Sequence, residues 1–188
     1  MITAILMASG FSKRMNTNKL LLDVKGKPMM EHTMSAILQC HFDEQLLIAR
    51  DEQVMYLSSQ YEFKLVKNEN AHRGQSESIR LGVSNAKKGN AYMFFVADQP
   101  FLSVNTIMQL IDAHKKNPAH IIVPSYNGNN KSPTIFPASY RNKLLSLKGD
   151  IGGRSFIKNH PEEIYTLSIN DRLSFVDIDT WKSYRQLQ

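Results

Sequence analysis

Ile2-Thr3-Ala4-Ile5-Leu6-Met7-Ala8 runs straight into Ser9-Gly10. A short, almost unbroken apolar run that ends in small residues reads as a strand buried on both faces, meeting a turn. Working outward, the same signature recurs at Gln45–Ala49, Glu62–Val66, Ala91–Ala97 and Ile121–Val123. Helical spacing fills the gaps. Pro28–Gln39 carries apolar residues at 29, 30, 34, 37 and 38 behind a proline. Asp51 is placed to cap a helix over 52–59, Gly74–Ala86 shows one apolar face, and Ser103 is placed to cap a helix through Lys116. Strand and helix in alternation predict a mostly parallel sheet with helices on both faces. The last third is less regular. Thr134–Phe136 and Ile164–Ile169 read as strands; Ala138–Leu147, Gly152–Asn159 and Thr180–Leu187 read as helices; Tyr126–Lys131 reads as a hairpin or loop tip.

The chain has 188 residues, 42% of them hydrophobic and 21% charged, which suits one globular domain and excludes whole-chain disorder. Its one cysteine, Cys40, excludes an internal disulfide and a cysteine-rich zinc site, and fits a cytoplasmic location. Net charge is +6 with a pI near 9.4, which favours anionic partners. The lysines are scattered and form no basic tail, which argues against nucleic acid, and no apolar run approaches the roughly 20 residues needed to span a membrane, so neither is the expected partner. The start lacks a basic segment and reads as a strand rather than a signal peptide. The six histidines show no metal-ligand spacing. Gly74-Gln75-Ser76-Glu77-Ser78 resembles a nucleophile elbow only superficially, because Ser78 stands where a second glycine is needed.

In open α/β sheets ligands bind beyond the carboxyl ends of the strands, so the residues after each strand carry the chemistry. After the first strand come Ala8-Ser9-Gly10-Phe11-Ser12-Lys13-Arg14-Met15 and then Lys19. Small residues let backbone N–H groups approach an anion, and Arg14 and Lys19 can meet phosphate oxygens. The same stretch also reads as a polar turn with two solvated cations. It is neither a Walker loop nor a G-x-G-x-x-G dinucleotide turn, which disfavours an NAD-dependent oxidoreductase. After the fourth strand comes Ala97-Asp98-Gln99-Pro100. Asp98 is either a metal carboxylate or a turn cap. In Val176-Asp177-Ile178-Asp179-Thr180, Asp179 is either the cap of the last helix or a second metal carboxylate. Asp177 and Asp179 share a face only if this stretch is extended.

In order along the chain, Ala8–Met15 with Lys19, Gly26-Lys27-Pro28-Met29-Met30-Glu31-His32, Ala97–Pro100, Gly149-Asp150-Ile151-Gly152-Gly153-Arg154 and Val176–Thr180 resemble the motifs of one family. It is the molybdenum cofactor cytidylyltransferase type of the MobA-like nucleotidyltransferases. The resemblance spans nearly the whole chain. It implies a single Rossmann-like nucleotidyltransferase domain, with a nucleotide-binding half over 1–125 and an acceptor-binding, sheet-completing part over 126–188. It implies Mg²⁺-dependent transfer of CMP from CTP to a phosphorylated acceptor, molybdopterin or molybdenum cofactor, with release of pyrophosphate. By the same resemblance, Ala8, Ser9, Gly10, Ser12, Lys13, Arg14, Lys19, Asn68, Gly74 and Ser78 bind the nucleotide, and Arg14, Lys19 and Asp98 are catalytic. Gln99, Pro133, Asp150, Gly152 and Arg154 fall on the acceptor side. Asp98 with Asp179 or Asp177 would hold the metal. Ala8-Ser9, where guanylyltransferases carry Ala/Gly-Gly, leans towards cytosine. The chain departs from the family pattern at Asn16, Glu69 and Lys131, where glycine, proline and glycine are expected. The alternatives are a nucleotidyltransferase for a sugar or alcohol phosphate, and a non-catalytic nucleotide-binding partner of a molybdenum enzyme.

Overall fold

The computed structural model describes residues 1–149 and 153–186, with the side chains of 153–155 outside the description. The elements follow the predicted alternation. They run β1 (Ile2–Ala8), β2 (Asp23–Val24), β3 (Lys27–Pro28), α1 (Met29–Leu38), β4 (Glu44–Ala49), α2 (Glu52–Ser58), β5 (Lys64–Lys67), α3 (Gln75–Asn85), β6 (Ala91–Val96) and α4 (Val104–Lys116). The remainder is β7 (Ile121–Tyr126), β8 (Asn129–Asn130), β9 (Thr134–Phe136), α5 (Arg141–Leu145), α6 (Gly153–Asn159), β10 (Ile164–Ser168) and α7 (Trp181–Arg185). Asp51 and Ser103 cap α2 and α4 as expected, each accepting backbone N–H groups of the first turn. Ala138–Leu147 is not one helix: a 3-10 turn over Ala138–Tyr140 precedes α5.

The main sheet runs β10-β7-β9-β6-β1-β4-β5, with β8 paired to β7. β1, β4, β5 and β6 are mutually parallel neighbours, and β10 is parallel to β7. Only β9, which runs antiparallel to both β6 and β7, and the β7–β8 hairpin break the parallel order. The hairpin turns at Asn127-Gly128, both at positive φ, the geometry that Asn-Gly sequences supply.

Alternation along the strands divides the core in two. Ala4, Leu6 and Ala8 of β1 and Met93 and Phe95 of β6 meet Met30, Met34 and Ile37 of α1 and Ile107 and Leu110 of α4. Ile5 of β1 and Tyr92 and Phe94 of β6 meet Ile79 and Val83 of α3 and Leu144 of α5 on the opposite face. Both faces are therefore covered, which is why these strands read as continuous apolar runs. Helix α3 approaches β1 closely at Gly82: a Cβ there would lie 2.6 Å from Ile5 Cγ2.

The chain builds β1, β4 and β5 outward in one direction, then crosses to place β6 on the other side of β1. That reversal is a topological switch point, and its crevice opens between the carboxyl ends of β1 and β6.

Candidate functional site

Two loops meet at the switch point. The loop after β1 is shaped by Ser12 and Asn16, both at positive φ, and by a turn in which Met15 N–H donates to the Ser12 carbonyl at 2.9 Å. Asn16 thus adopts the left-handed conformation for which the family pattern carries glycine, and asparagine tolerates it better than most residues. Ser9 Oγ pins the loop's start by donating to the Ile48 carbonyl at 3.0 Å. The loop ends in a 3-10 turn, Lys19–Leu21, capped by Asn18, which turns the Lys19 side chain inward.

Lys19 is 9% exposed, and its ammonium donates to two carboxylates: Asp98 Oδ2 at 2.6 Å and Asp179 Oδ1 at 2.7 Å. Asp98 comes from the end of β6, and Asp179 from the segment before α7. The Ile178 N–H donates to the Asp98 carbonyl at 3.0 Å, which seats that segment against the strand end. Arg14 Nη2 reaches the other Asp179 oxygen at 2.7 Å. Burial alone lowers the Lys19 pKa, but the charges and hydrogen bonds of Asp98 and Asp179 outweigh it, so the ammonium is held above its ordinary 10.5. For Asp179 burial pushes the other way, yet Lys19 and Arg14 keep its carboxyl below 3.8. Neither aspartate is a cap. Thr180 caps α7 in a reciprocal capping box with Ser183.

Two cavities flank this cluster. The first has a volume of about 490 Å³ and is walled by the loop after β1, the start of α3 and the end of β6. The second, about 230 Å³, lies towards β9. Met7, Gln75, Val96, Asp98 and Asp179 line both, so the carboxylate pair stands at their junction.

Ala8, Ser9, Gly10, Ser12, Lys13, Arg14, Lys19, Gly74 and Ser78 all line the first cavity, as their nucleotide-binding assignment expects. Asn68 does not. It is 1% exposed and lies beneath, its amide donating to Ser78 Oγ at 3.1 Å. Gly74 stands just before α3 at φ 98°, a conformation open to glycine. Phe11, His72 and Gln75 also line this cavity and were not among the expected residues. Phe11 falls within the Ala8–Met15 loop, Gln75 opens α3 next to Gly74, and His72 lies two residues before Gly74, so proximity to a motif is the available signal. Arg50 stacks on Phe11 from the end of β4, 4.3 Å from the ring centroid.

On the other side, Asp177 lines the second cavity together with Asp98 and Asp179, so both aspartates of the 176–179 segment reach that cavity. Their partners differ. Asp179 joins Asp98 on Lys19, while Asp177 Oδ1 accepts from Gln99 Nε2 at 2.8 Å. Gln99 is 1% exposed and lines neither cavity; its carbonyl oxygen Oε1 is buried without a hydrogen-bond partner among the described residues. Pro133 is likewise buried, while Ser132 and Thr134 on either side of it reach the second cavity. Asp150, Gly152 and the side chain of Arg154 lie outside the described residues.

Two carboxylates from separate elements that converge on one cation are the hard oxygen donors a divalent ion takes, so Asp98 and Asp179 fit such an ion. A separate group, His160, Glu162 and Glu163, also lies within metal-ligand reach. There Glu163 is engaged by Lys143 at 2.9 Å, an ordinary surface ion pair.

The MobA-like NTP transferase domain model matches residues 4–164. Among curated relatives, a probable molybdenum cofactor guanylyltransferase of Natranaerobius thermophilus is 28% identical over 90% of this chain and 82% of its own length. The purine catabolism protein PucB of Bacillus subtilis is 28% identical over 97% and 94%. Nicotine blue oxidoreductase of Paenarthrobacter nicotinovorans is 26% identical over 95% and 92%. Among solved structures, Rv0371c of Mycobacterium tuberculosis superposes with a TM-score of 0.85 at 23% identity, covering 99% of this chain and 96% of that one. The same protein has been crystallised in complex with manganese, where the TM-score is 0.83 at 22% identity, covering 99% and 97%.

Proposed function

Because the chain belongs to the MobA-like NTP transferase domain family, we propose that it transfers a nucleoside monophosphate, CMP foremost, from an NTP to a phosphorylated acceptor. The acceptor proposed is molybdopterin or its molybdenum-loaded form. The observation that carries this reading is the Asp98–Lys19–Asp179 cluster at the junction of two cavities, one of them bounded by the loop after β1. One cavity suits a triphosphate donor, the other an acceptor, and the cluster lies where the reacting groups would meet.

The chemistry asks for little covalent help. An oxygen of the acceptor phosphate attacks the α-phosphorus, the bond from that phosphorus to the bridging oxygen breaks, and pyrophosphate leaves. Such displacements depend on positioning and on neutralising charge. A phosphate monoester is already largely ionised near neutral pH, so no strong general base is needed. Loop N–H groups, Lys13 and Arg14 would hold the triphosphate, and Lys19, kept protonated by its carboxylate partners, would sit beside the transferring group. Asp98 and Asp179 would hold a divalent cation, magnesium or manganese, which supplies Lewis-acid neutralisation of phosphate oxygens when bound. Asn68 would act through Ser78 rather than on the nucleotide directly.

Ala8-Ser9 supports cytosine, whereas the guanylyltransferase relative supports guanine. Pyrophosphate release with Mg²⁺ or Mn²⁺, molybdopterin and each of CTP, GTP, ATP and UTP decides between them. Release with CTP alone is the expected result. Release with GTP alone would overturn the base assignment, and release with none would overturn the acceptor.

A further inference from the structure

Met15 is the pivot of the loop after β1. Its N–H donates to the Ser12 carbonyl at 2.9 Å. Its side chain, 3% exposed, leaves the loop to join Val24, Met29, Ile178 and Tyr184 in a small apolar cluster apart from the two main cores. Its carbonyl is engaged as well: Trp181 Nε1 donates to it at 3.2 Å from the first turn of α7. Trp181 is 40% exposed, so burial alone does not account for a tryptophan at this place, and its N–H bond to the loop does. Helix α7 is itself fixed. The Thr180 capping box starts it, Tyr184 Oη donates to the Asp23 carbonyl at 2.5 Å, and the Trp181 and Tyr184 rings meet edge to face with 5.7 Å between centroids. Lys13 and Arg14, immediately before the pivot, are exposed and line the first cavity.

The segment before and into α7 therefore holds two consecutive loop residues by contacts of different kinds. Asp179 holds Arg14 by charge, and Trp181 holds Met15 by a neutral hydrogen bond. The Arg14 side chain is 66% exposed, and phosphate oxygens compete with a carboxylate for the same guanidinium. The indole–carbonyl bond and the apolar cluster are indifferent to that exchange, so they keep the loop in place while Arg14 turns from Asp179 to phosphate. We infer that Trp181 is a positioning residue for the oligophosphate of the donor: by holding the Met15 carbonyl it keeps Lys13 and Arg14 on the wall of the first cavity. The inference rests on the nucleotidyltransferase reading for the identity of that ligand. The far side of the contact, 178–184, lies beyond residues 4–164 that the family model matches.

The test titrates the full chain by calorimetry with CTP and with inorganic tripolyphosphate, each with Mg²⁺ and without acceptor. Trp181→Phe keeps an aromatic ring beside Tyr184 and removes the N–H. It should weaken both probes about fivefold, the worth of one hydrogen bond. In turnover the KM for the NTP should rise by the same factor with kcat within about twofold, because a loop that grips the triphosphate alike before and during transfer changes binding alone. Tyr184→Phe is the control for a merely structural role. It removes the bond from α7 to the Asp23 carbonyl and should lower the thermal midpoint, with both affinities within about twofold of wild type. Equal affinities in wild type and Trp181→Phe overturn the inference. So does a loss confined to CTP, which places the effect at the nucleoside. Equal losses in the two variants overturn it as well, by making Trp181 a support of α7 and nothing more. Wild type that binds neither probe overturns it together with its parent reading. Wild type that turns over no NTP, yet loses tripolyphosphate affinity with Trp181→Phe, sinks the parent reading and leaves the inference standing.

Discussion

The two cavities that share Asp98 are assembled in different ways. Most of the first comes from two short stretches of chain, 7–20 and 71–78, and its character is set by backbone turns and small residues. The second is gathered from β1, α3, β6, β9 and the segment before α7, and its character is set by side chains that meet only after folding. A site drawn from contiguous residues can be read as a motif. A site drawn from distant ones depends on strand order, and β9 running antiparallel between β6 and β7 is what brings Ser132 and Thr134 to Asp98. The junction between them is the test of whether the two cavities act together.

The largest effect is expected at that junction. Asp98→Ala removes one of the two carboxylates that face both cavities. Metal-dependent pyrophosphate release should fall about 10³-fold, with the circular dichroism spectrum unchanged. Turnover within tenfold of wild type would mean that the cavities do not share a metal at Asp98. Next comes Lys19→Met, which keeps the stem and removes the charge. The expected loss in kcat is about 10²-fold. It also leaves Asp98 and Asp179 facing each other without their shared cation, so the thermal midpoint should fall. A higher midpoint would show that burying the ammonium costs more than its two bonds return.

The same contrast explains what could be read from the sequence. Almost unbroken apolar runs declared β1, β4 and β6, because a strand covered on both faces has no polar positions to obscure it. The loop from Ala8 to Lys19 declared itself through its small residues and cations. The placement of β9 did not, since three apolar residues carry no information about which neighbours they pair with or in which direction. The choice between Asp177 and Asp179 was also hidden. Both occur in one short stretch and line the same cavity, and the positions of Lys19 and Gln99 separate them. Asn68 is placed on the nucleotide only by the family resemblance; no pattern in the sequence shows that its side chain is buried with its amide donated to Ser78.

A smaller effect should appear in stability against pH. Asp179 has its folded pKa below 3.8, chiefly because Lys19 and Arg14 overcome the effect of burial. Its contribution is therefore complete above about pH 4 and is lost as pH falls through the lower folded value. Asp171 behaves in the same sense: the Ser174 hydroxyl leads the causes that lower it, and with Ser103 and Thr106 it ties the chain before α7 to the start of α4. Lys19 has the opposite sign. Its folded pKa lies above 10.5, so its contribution is complete below that value and is lost as pH rises through the folded one. Thermal midpoints should be flat through neutral pH and fall at both ends. Asp179→Asn should soften the acid limb, modestly because that carboxylate is 37% exposed and screened by solvent. An acid limb identical to wild type would place its origin at Asp171 or elsewhere, away from the junction.

The smallest effect separates backbone from side chain within the first cavity. Asn16 is exposed and holds φ at 50°, where the family pattern has glycine. If the loop is set by its turns, the side chain at 16 is dispensable and the conformation is not. Asn16→Gly should then change stability by less than about 0.5 kcal/mol, a local trade between strain relieved and unfolded-state entropy gained. Asn16→Ala forces a Cβ without a compensating polar group into the left-handed region and should cost about 1 kcal/mol. Denaturant midpoints for the three proteins decide the matter. Equal losses in both variants would make the asparagine amide the loop's support, and the first cavity would then depend on side-chain placement as the second one does.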